Sequence, residues 1–190
     1  MGGRSGQSEG GSNGGGGSSS AEISAAVANY QSTNFDAINN ELRYDKPDKY
    51  KDVISKIDEG STDKTSDNLY RGLGSDFTKE LANKYGVTDV NDINQLKSKL
   101  IGKTITDKGY MSTTRDLKTA GDFARDKGTG KTTVMQISGK KKGVEVTKHV
   151  TNYRAKQEKE FIIKRGSKVK ITNVSISKSG KLILYTEIVH

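Results

Sequence analysis

The chain has 190 residues and a net charge of +9, and its 31% of hydrophobic residues suffice for one domain with its own core. Cysteine is absent, which excludes a disulfide framework and thiolate chemistry. No apolar run approaches the length that spans a membrane, so we predict no membrane contact. The two histidines, His149 and His190, do not have the spacing of metal ligands, so we predict no metal site.

The first 20 residues are almost wholly glycine, serine and other polar residues. Such a segment buries too little apolar surface to offset its chain entropy, so we predict a disordered linker or tag over residues 1–20. It also has no apolar stretch of the kind found in a secretory signal. We predict that residues 21–190 form a single domain.

The first half of this domain has the periodicity of helices. Phe35, Ile38 and Leu42 share one helical face at i, i+3 and i+7, and similar apolar stripes recur further along the chain. Pro47 suits a first helical turn, and Ser75 suits an N-cap. We predict helices over residues 21–30, 33–42, 47–60, 75–86 and 90–102.

The second half has the alternation of strands, which we predict over residues 134–137, 144–146, 161–163, 169–176 and 182–189. We predict a hairpin turn of solvated lysines over residues 140–142 and another hairpin turn at Ser179-Gly180. Helices followed by a run of strands predict the α+β class. The glycine patterns of the Rossmann fold and the P-loop are absent from the sequence, so a dinucleotide would not be bound on a Rossmann fold.

Two glutamates stand one residue apart at the start of a predicted strand, in the sequence Gln157-Glu158-Lys159-Glu160. Residues i and i+2 of a strand lie on the same face, so we predict that Glu158 and Glu160 project together. Paired carboxylates can divide catalytic work, because one can hydrogen-bond a substrate hydroxyl while the other orients or deprotonates a nucleophile. On its own, the same pattern is also common on solvated strand edges.

Two upstream segments place further polar groups at predicted strand ends. Arg71 precedes Gly72 at the end of a short strand, where a planar guanidinium suits phosphate oxygens. A structural salt bridge is an equally weighted alternative for Arg71 alone. A second short strand ends in three hydroxyls, at Ser112, Thr113 and Thr114.

The chain order of arginine, then Ser-Thr-Thr, then Glu-x-Glu resembles the arginine–serine–glutamate class of ADP-ribosyltransferases. This class includes clostridial binary toxins, C3-like exoenzymes and arginine-specific mono-ADP-ribosyltransferases. The usual Ser-Thr-Ser of the family is Ser-Thr-Thr here, which keeps a hydroxyl at every position. Residues 148–157 resemble the family's toxin-turn-turn loop, with Tyr153 at its aromatic position. The resemblance implies two packed, roughly perpendicular sheets with flanking helices and a cleft between them.

The resemblance also implies a reaction and a role for each residue. NAD would be the co-substrate, and its nicotinamide–ribose bond would break through an oxocarbenium-like transition state. Glu160 would stabilise that charge through the ribose 2′-hydroxyl, while Glu158 would activate an acceptor guanidinium, with Tyr153 contacting the target or covering the nicotinamide. The residues implied to hold NAD are Arg71, Gly72, Ser112, Thr113 and Glu160.

These motifs predict a mono-ADP-ribosyltransferase that modifies an accessible arginine on a target protein. Two alternatives stay open: an NAD glycohydrolase of the same fold, with water as the acceptor, and a basic nucleic-acid-binding module without catalysis. The net charge of +9 fits an ordinary solvated surface as well as an anionic partner. The intact set of motifs argues against the non-catalytic module.

The resemblance further implies a biological setting. A bacterial or phage toxin or effector would be delivered to the cytoplasm of a target cell, with residues 21–190 as its catalytic domain. Such toxins usually have a cognate immunity protein, which is a second implied partner. A nucleic-acid target also stays open.

Overall fold

The structure is a computed structural model that describes residues 16–46, 48–125 and 130–190. The predicted disorder of residues 1–15 and the predicted helical turn at Pro47 lie outside the described residues. The helices are α1 (Ser20–Asn29), α2 (Phe35–Tyr44), α3 (Lys51–Gly60), α4 (Ser75–Tyr85), α5 (Ile93–Leu100), α6 (Leu117–Arg125) and α7 (Tyr153–Glu158). A π-helical turn, Tyr30–Asn34, joins α1 to α2, and a 3-10 turn, Val146–Lys148, lies shortly before α7.

The strands are β1 (Asp63–Thr65), β2 (Leu69–Leu73), β3 (Thr104–Thr106), β4 (Met111–Thr114), β5 (Thr133–Ser138), β6 (Lys141–Glu145), β7 (Glu160–Ile163), β8 (Lys168–Ile176) and β9 (Leu182–Val189). Hydrogen bonds join them in the order β1-β6-β7-β4-β2-β5-β9-β8-β3. The link between β2 and β4 is a single registered pair, Tyr70 with Thr114, whereas the other neighbours pair over three or more residues. The two predicted sheets are therefore two halves of one hydrogen-bonded sheet, joined at this narrow point. The α+β class and the N-terminal helices are confirmed.

Two main hydrophobic clusters cover the sheet. The larger cluster contains residues of α4, α5, β5, β8 and β9, and it extends to Met111 of β4 and Phe161 of β7. The smaller cluster packs the N-terminal helices against β6 and β7, where Val27 and Ile162 are fully buried. Because the larger cluster includes residues of both halves, burial of apolar surface joins them across the narrow junction of β2 and β4.

Residues assigned from sequence to the disordered tail take part in the fold. Ser19 is the N-cap of α1, because its hydroxyl accepts from the Glu22 backbone N–H at 3.2 Å while the Glu22 carboxylate accepts from the Ser19 N–H at 3.0 Å. The Ser18 N–H donates to the Glu59 carboxylate at 2.7 Å. The capping box of Ser19 and Glu22 satisfies two backbone N–H donors that the start of a helix leaves without partners. The fold therefore begins before Ser20.

The predicted lysine hairpin over residues 140–142 is wrong. Strand β5 pairs with β2 and β9, whereas β6 pairs with β1 and β7, so the chain crosses here from one half-sheet to the other. Lys141 is only 1% exposed, and its ammonium donates to the backbone carbonyls of Asp67, Ile137 and Gly139. Burial lowers the pKa of Lys141, and the three carbonyls satisfy the donors of its ammonium group.

Candidate active site

The two glutamates lie on different elements, which corrects the prediction that they share a strand face. Glu158 is the last residue of α7, and Glu160 is the first residue of β7. Lys159 between them has φ 45° and ψ 47°, a left-handed conformation that few residues other than glycine adopt. The segment predicted as a loop over residues 148–157 thus contains most of a short helix, and the turn at Lys159 sets the relative direction of the two carboxylates.

Glu160 is partly buried and hydrogen-bonded. The Gln31 side-chain amide donates to its Oε2 atom, so a residue of the π-helical turn reaches the carboxylate. Burial raises the pKa of Glu160 above its usual range, and hydrogen bonds from Gln31 and Ser112 oppose the rise without cancelling it. Such a carboxyl, perturbed by burial at a junction of elements, is a candidate for catalysis.

Glu158 is held by an arginine of its own helix. The Arg154 Nε atom donates to Glu158 Oε1 at 2.7 Å, and the pair spans one helical turn. The Glu158 side chain is 22% exposed, whereas that of Arg154 is 79% exposed. Glu158 therefore presents a carboxylate that already binds a guanidinium at the edge of the site.

Helix α7 presents an aromatic side chain beside this carboxylate. Asn152 caps the helix by accepting from the Ala155 N–H at 2.8 Å, and Ala155 is the buried residue that anchors it. Tyr153 is 76% exposed. Its position on the outer surface of α7 is compatible with the predicted contact to a target.

A hydrogen-bonded chain runs from Ser112 into the N-terminal helices. The Ser112 hydroxyl shares a 3.1 Å hydrogen bond with the buried hydroxyl of Tyr30, which also accepts from the Asn39 amide at 3.0 Å. Burial raises the pKa of Tyr30, while the nearby charge of Arg71 lowers it and that of Glu160 raises it. Tyr30 thus contacts Ser112 directly, its neighbour Gln31 donates to Glu160, and the charges of Arg71 and Glu160 both act on the Tyr30 hydroxyl.

Arg71 lies in an ion-pair network with a carboxylate that sequence analysis did not identify. Its Nη1 atom donates to Asp107 Oδ2 at 3.0 Å, and Arg43 donates to both carboxylate oxygens of Asp107 at 2.9 Å. Burial raises the pKa of Asp107, but the hydrogen bonds of Arg43 and the charge of Arg71 outweigh it and hold this pKa below its usual range. One carboxylate therefore orients two guanidinium groups, and both keep further N–H donors for a phosphate.

Two residues predicted to contact NAD have structural roles. Thr113 is buried, and its hydroxyl donates to the Phe161 carbonyl at 2.6 Å, on the opposite strand face from Ser112. Gly72 is also buried, and a Cβ atom there would lie 2.2 Å from the Ala120 carbonyl oxygen of α6. Gly72 therefore permits the close approach of α6 to β2. We correct the assignment of Thr113, whose side chain faces the core, whereas the contact of Gly72 with NAD stays a prediction.

The other hydroxyl of the Ser-Thr-Thr segment also fastens the site. Thr114 donates to the Glu158 carbonyl at 2.6 Å and accepts from the Asp116 N–H at 3.0 Å. Because Thr113 donates to the carbonyl of Phe161, the two threonines hydrogen-bond to the backbone both before and after Glu160. They therefore determine where β7 begins and where the Glu160 side chain enters the site.

Sequence reasoning missed the residues that the N-terminal helices contribute: Tyr30, Gln31, Asn39 and Arg43. A signal for Asn39 exists, since it lies four residues after Phe35 and is a buried polar residue on the apolar face of α2. Arg43 follows Asn39 by one further turn. Asp107 has no comparable signal, because it lies in the connection between β3 and β4, where the sequence shows no periodicity.

The family model of the ADP-ribosyltransferase exoenzymes matches residues 16–189, which is nearly the whole chain. The chain belongs to this family. It is an NAD-dependent mono-ADP-ribosyltransferase, so the predicted class and co-substrate are confirmed, while arginine as the acceptor stays a prediction.

Solved structures of several toxins have the same fold. The C3 exoenzyme of Clostridium limosum is 20% identical, with a TM-score of 0.68 over 91% of this chain and 86% of that one. C3stau2 from S. aureus with NAD is 18% identical, with a TM-score of 0.66 over 88% and 86% of the two chains. The ADP-ribosyltransferase Vis in complex with agmatine is 14% identical, with a TM-score of 0.64 over 88% and 74%.

A comparison with curated proteins finds no match. Within the described ranges, the structure has no helix that is both long and apolar enough to cross a membrane. At identities of 20% or less, these toxin structures show the fold and do not assign the acceptor.

Proposed function

We propose that this ADP-ribosyltransferase modifies arginine on a target protein and that Glu158 selects this acceptor. The observation that carries the proposal is the 2.7 Å contact of Glu158 with the Arg154 guanidinium, at a partly exposed position beside Glu160. A free arginine is fully protonated at neutral pH and is then a poor nucleophile. A carboxylate that binds a guanidinium and can accept its proton removes this obstacle.

Glu160 has the electrostatic role. When the bond between nicotinamide and ribose breaks, positive charge spreads over the ribose, and a carboxylate on the 2′-hydroxyl stabilises that charge. The Gln31 amide holds the Glu160 carboxylate in place, and Ser112 donates from β4. The partly buried position favours this role, because a fixed charge acts more strongly where water is excluded.

The paired guanidinium groups support binding of the NAD pyrophosphate. Arg71 and Arg43 share Asp107, which keeps the two cations together without using all their N–H donors. A planar guanidinium offers paired donors that match phosphate oxygens. Asp107 is then a positioning residue whose charge offsets the repulsion between the two arginines.

The exposed Tyr153 lies on the same short helix as Glu158 and supports a protein target, since an exposed aromatic side chain is suited to an interface. The complex of Vis with agmatine, a guanidine compound, is compatible with an arginine acceptor on this fold. In this proposal the protein acts as a bacterial or phage toxin in the cytoplasm of a target cell, where a protein with an accessible arginine is its substrate.

The test compares nicotinamide release with ADP-ribose transfer to agmatine. Glu160→Gln should lower both activities by about 10²–10³, the usual cost of one lost electrostatic contact in a transition state. Glu158→Gln should abolish transfer while much of the hydrolysis remains, because water needs no guanidinium deprotonation. Glu80→Gln, on the exposed surface of α4, is the matched control and should change neither activity.

Equal loss of both activities in Glu158→Gln would refute the division of roles. Full retention of agmatine transfer in the same variant would refute the proposal that Glu158 binds and activates the acceptor. Free ADP-ribose as the sole product of the wild-type protein, with agmatine and with a cell lysate, would instead favour an NAD glycohydrolase.

A further inference from the structure

We propose that Arg154 is itself an acceptor, so that the protein ADP-ribosylates its own α7 in an intramolecular reaction. The inference rests on the proposed specificity for arginine and extends it to a named modification site on this chain. It starts from the observation that the guanidinium in contact with Glu158, the carboxylate proposed to activate the acceptor, belongs to the enzyme itself.

The contact between Arg154 and Glu158 leaves the terminal nitrogens of the guanidinium able to react. Arg154 reaches Glu158 through Nε at 2.7 Å, so the atoms that make the contact are not the terminal Nη nitrogens. The side chain is 79% exposed, which leaves the terminal nitrogens accessible. The Arg154 charge also acts on Glu160, which places the guanidinium within electrostatic range of both carboxylates.

The chemistry balances with NAD as the co-substrate. The bond from ribose C1′ to the nicotinamide nitrogen breaks, and its electron pair leaves with nicotinamide. A terminal guanidinium nitrogen of Arg154 forms the new bond to C1′. Glu158 takes the proton of the Nε atom that it contacts and passes it to solvent, which restores the carboxylate. A proton of the newly bonded terminal nitrogen moves to Nε, so the modified side chain is again a guanidinium.

The helix that carries Arg154 can adjust its position. Helix α7 has six residues, of which Ala155 is the buried one, and a helix of this length has little stability of its own. Small movements of α7 relative to β7 therefore cost little and can bring the guanidinium towards the ribose. Once attached, ADP-ribose would carry two negative charges next to Glu158 and obstruct further acceptors, so modification would limit the enzyme's own activity.

The experiment incubates the full-length protein with NAD, without another acceptor, and follows the intact mass and the modified peptides. We expect one added ADP-ribose, located at Arg154 by fragmentation. The first-order rate constant should not depend on protein concentration, as an intramolecular reaction requires. Arg154→Lys should lose this incorporation while agmatine transfer rises, because added acceptor no longer competes with a resident guanidinium.

Arg125→Lys is the matched control, since Arg125 is also an exposed helical arginine paired with a carboxylate of its own helix, Asp122. This variant should incorporate ADP-ribose like the wild type. Incorporation at another arginine, or a rate constant proportional to protein concentration, would overturn the inference.

Failure of the inference can be distinguished from failure of the proposed function. Wild-type protein that modifies agmatine but gains no mass would overturn self-modification and leave arginine specificity intact. Protein that modifies neither agmatine nor itself, although it releases nicotinamide, would overturn both.

Discussion

Replacement of Gly72 by alanine tests whether this residue serves packing or contact with NAD. An added Cβ would lie 2.2 Å from the Ala120 carbonyl oxygen and 2.7 Å from the Ala124 nitrogen, both in the backbone of α6. Backbone atoms cannot rotate away as a side chain can, so α6 would have to move off β2. We therefore expect Gly72→Ala to reduce stability, with any loss of NAD affinity following from displacement of the neighbouring Arg71.

The size of the effect follows from the geometry. An extra methyl group forced into a closely packed contact costs about 1–3 kcal/mol. For a domain of this size, each kcal/mol lowers the melting temperature by roughly 2–4 °C, which gives an expected decrease of about 2–12 °C. Gly121→Ala is the matched control on α6, because its added Cβ meets no atom within 4 Å. Alanine is the better helix former by about 1 kcal/mol, so this variant should melt about 2–4 °C higher.

The assay measures thermal unfolding by circular dichroism and NAD affinity by calorimetry on both variants. Gly72→Ala that melts at the wild-type temperature but no longer binds NAD would refute the packing role and support the predicted contact with NAD. Gly121→Ala that also loses stability would show that α6 tolerates no added methyl group, and the comparison would lose its basis.

Three further predictions concern the site and the start of the fold. Because the pKa of Glu160 is raised, its carboxylate is protonated at a higher pH than that of an ordinary glutamate, and the acid limb of the kcat/KM profile should lie correspondingly higher. Gln31→Ala removes a hydrogen bond that lowers this pKa, so it should move the acid limb to still higher pH. An acid limb that does not move would contradict the contact between Gln31 and Glu160. Arg71→Lys should weaken NAD binding in calorimetry although the charge is kept, because an ammonium group lacks the planar pair of donors of a guanidinium. Unchanged affinity would mean that Arg71 serves only in the ion pair with Asp107. Ser19→Ala should cost about 0.5–2 kcal/mol in urea unfolding while Ser19→Asp keeps the cap, and equal stability of the two would show that the capping box contributes nothing.

Much of the fold could be predicted from sequence because its elements bury one face. The stripe of Phe35, Ile38 and Leu42 marks α2, and the alternation over residues 182–189 marks β9. Periodicity of this kind records which residues face a core. Pairing between distant strands has no comparable pattern in the sequence, so the sequence does not distinguish the crossing from β5 to β6 from a hairpin.

The candidate site could be predicted in part, although not from periodicity. Arg71, Ser112 and Glu160 were found through their order along the chain, and in the structure each acts on the Tyr30 hydroxyl, Ser112 through a hydrogen bond and the other two through their charges. Thr113 was assigned to NAD because a hydroxyl type alone does not reveal that it points into the core. The helical position of Glu158 was missed because α7 has six residues, too few for a periodic pattern.

The placement of the two glutamates on separate elements has a functional consequence. Glu160 begins a strand that pairs on both sides, and Thr113 and Thr114 hold the chain around it through backbone carbonyls. Glu158 ends a short helix that is anchored by a single buried alanine. In the proposed mechanism, the carboxylate that stabilises the ribose charge is therefore held rigidly, while the one that contacts the acceptor lies on an adjustable element. Substitutions along α7 can alter the choice of acceptor, and those in the strands of β4 and β7 should alter cleavage of NAD itself.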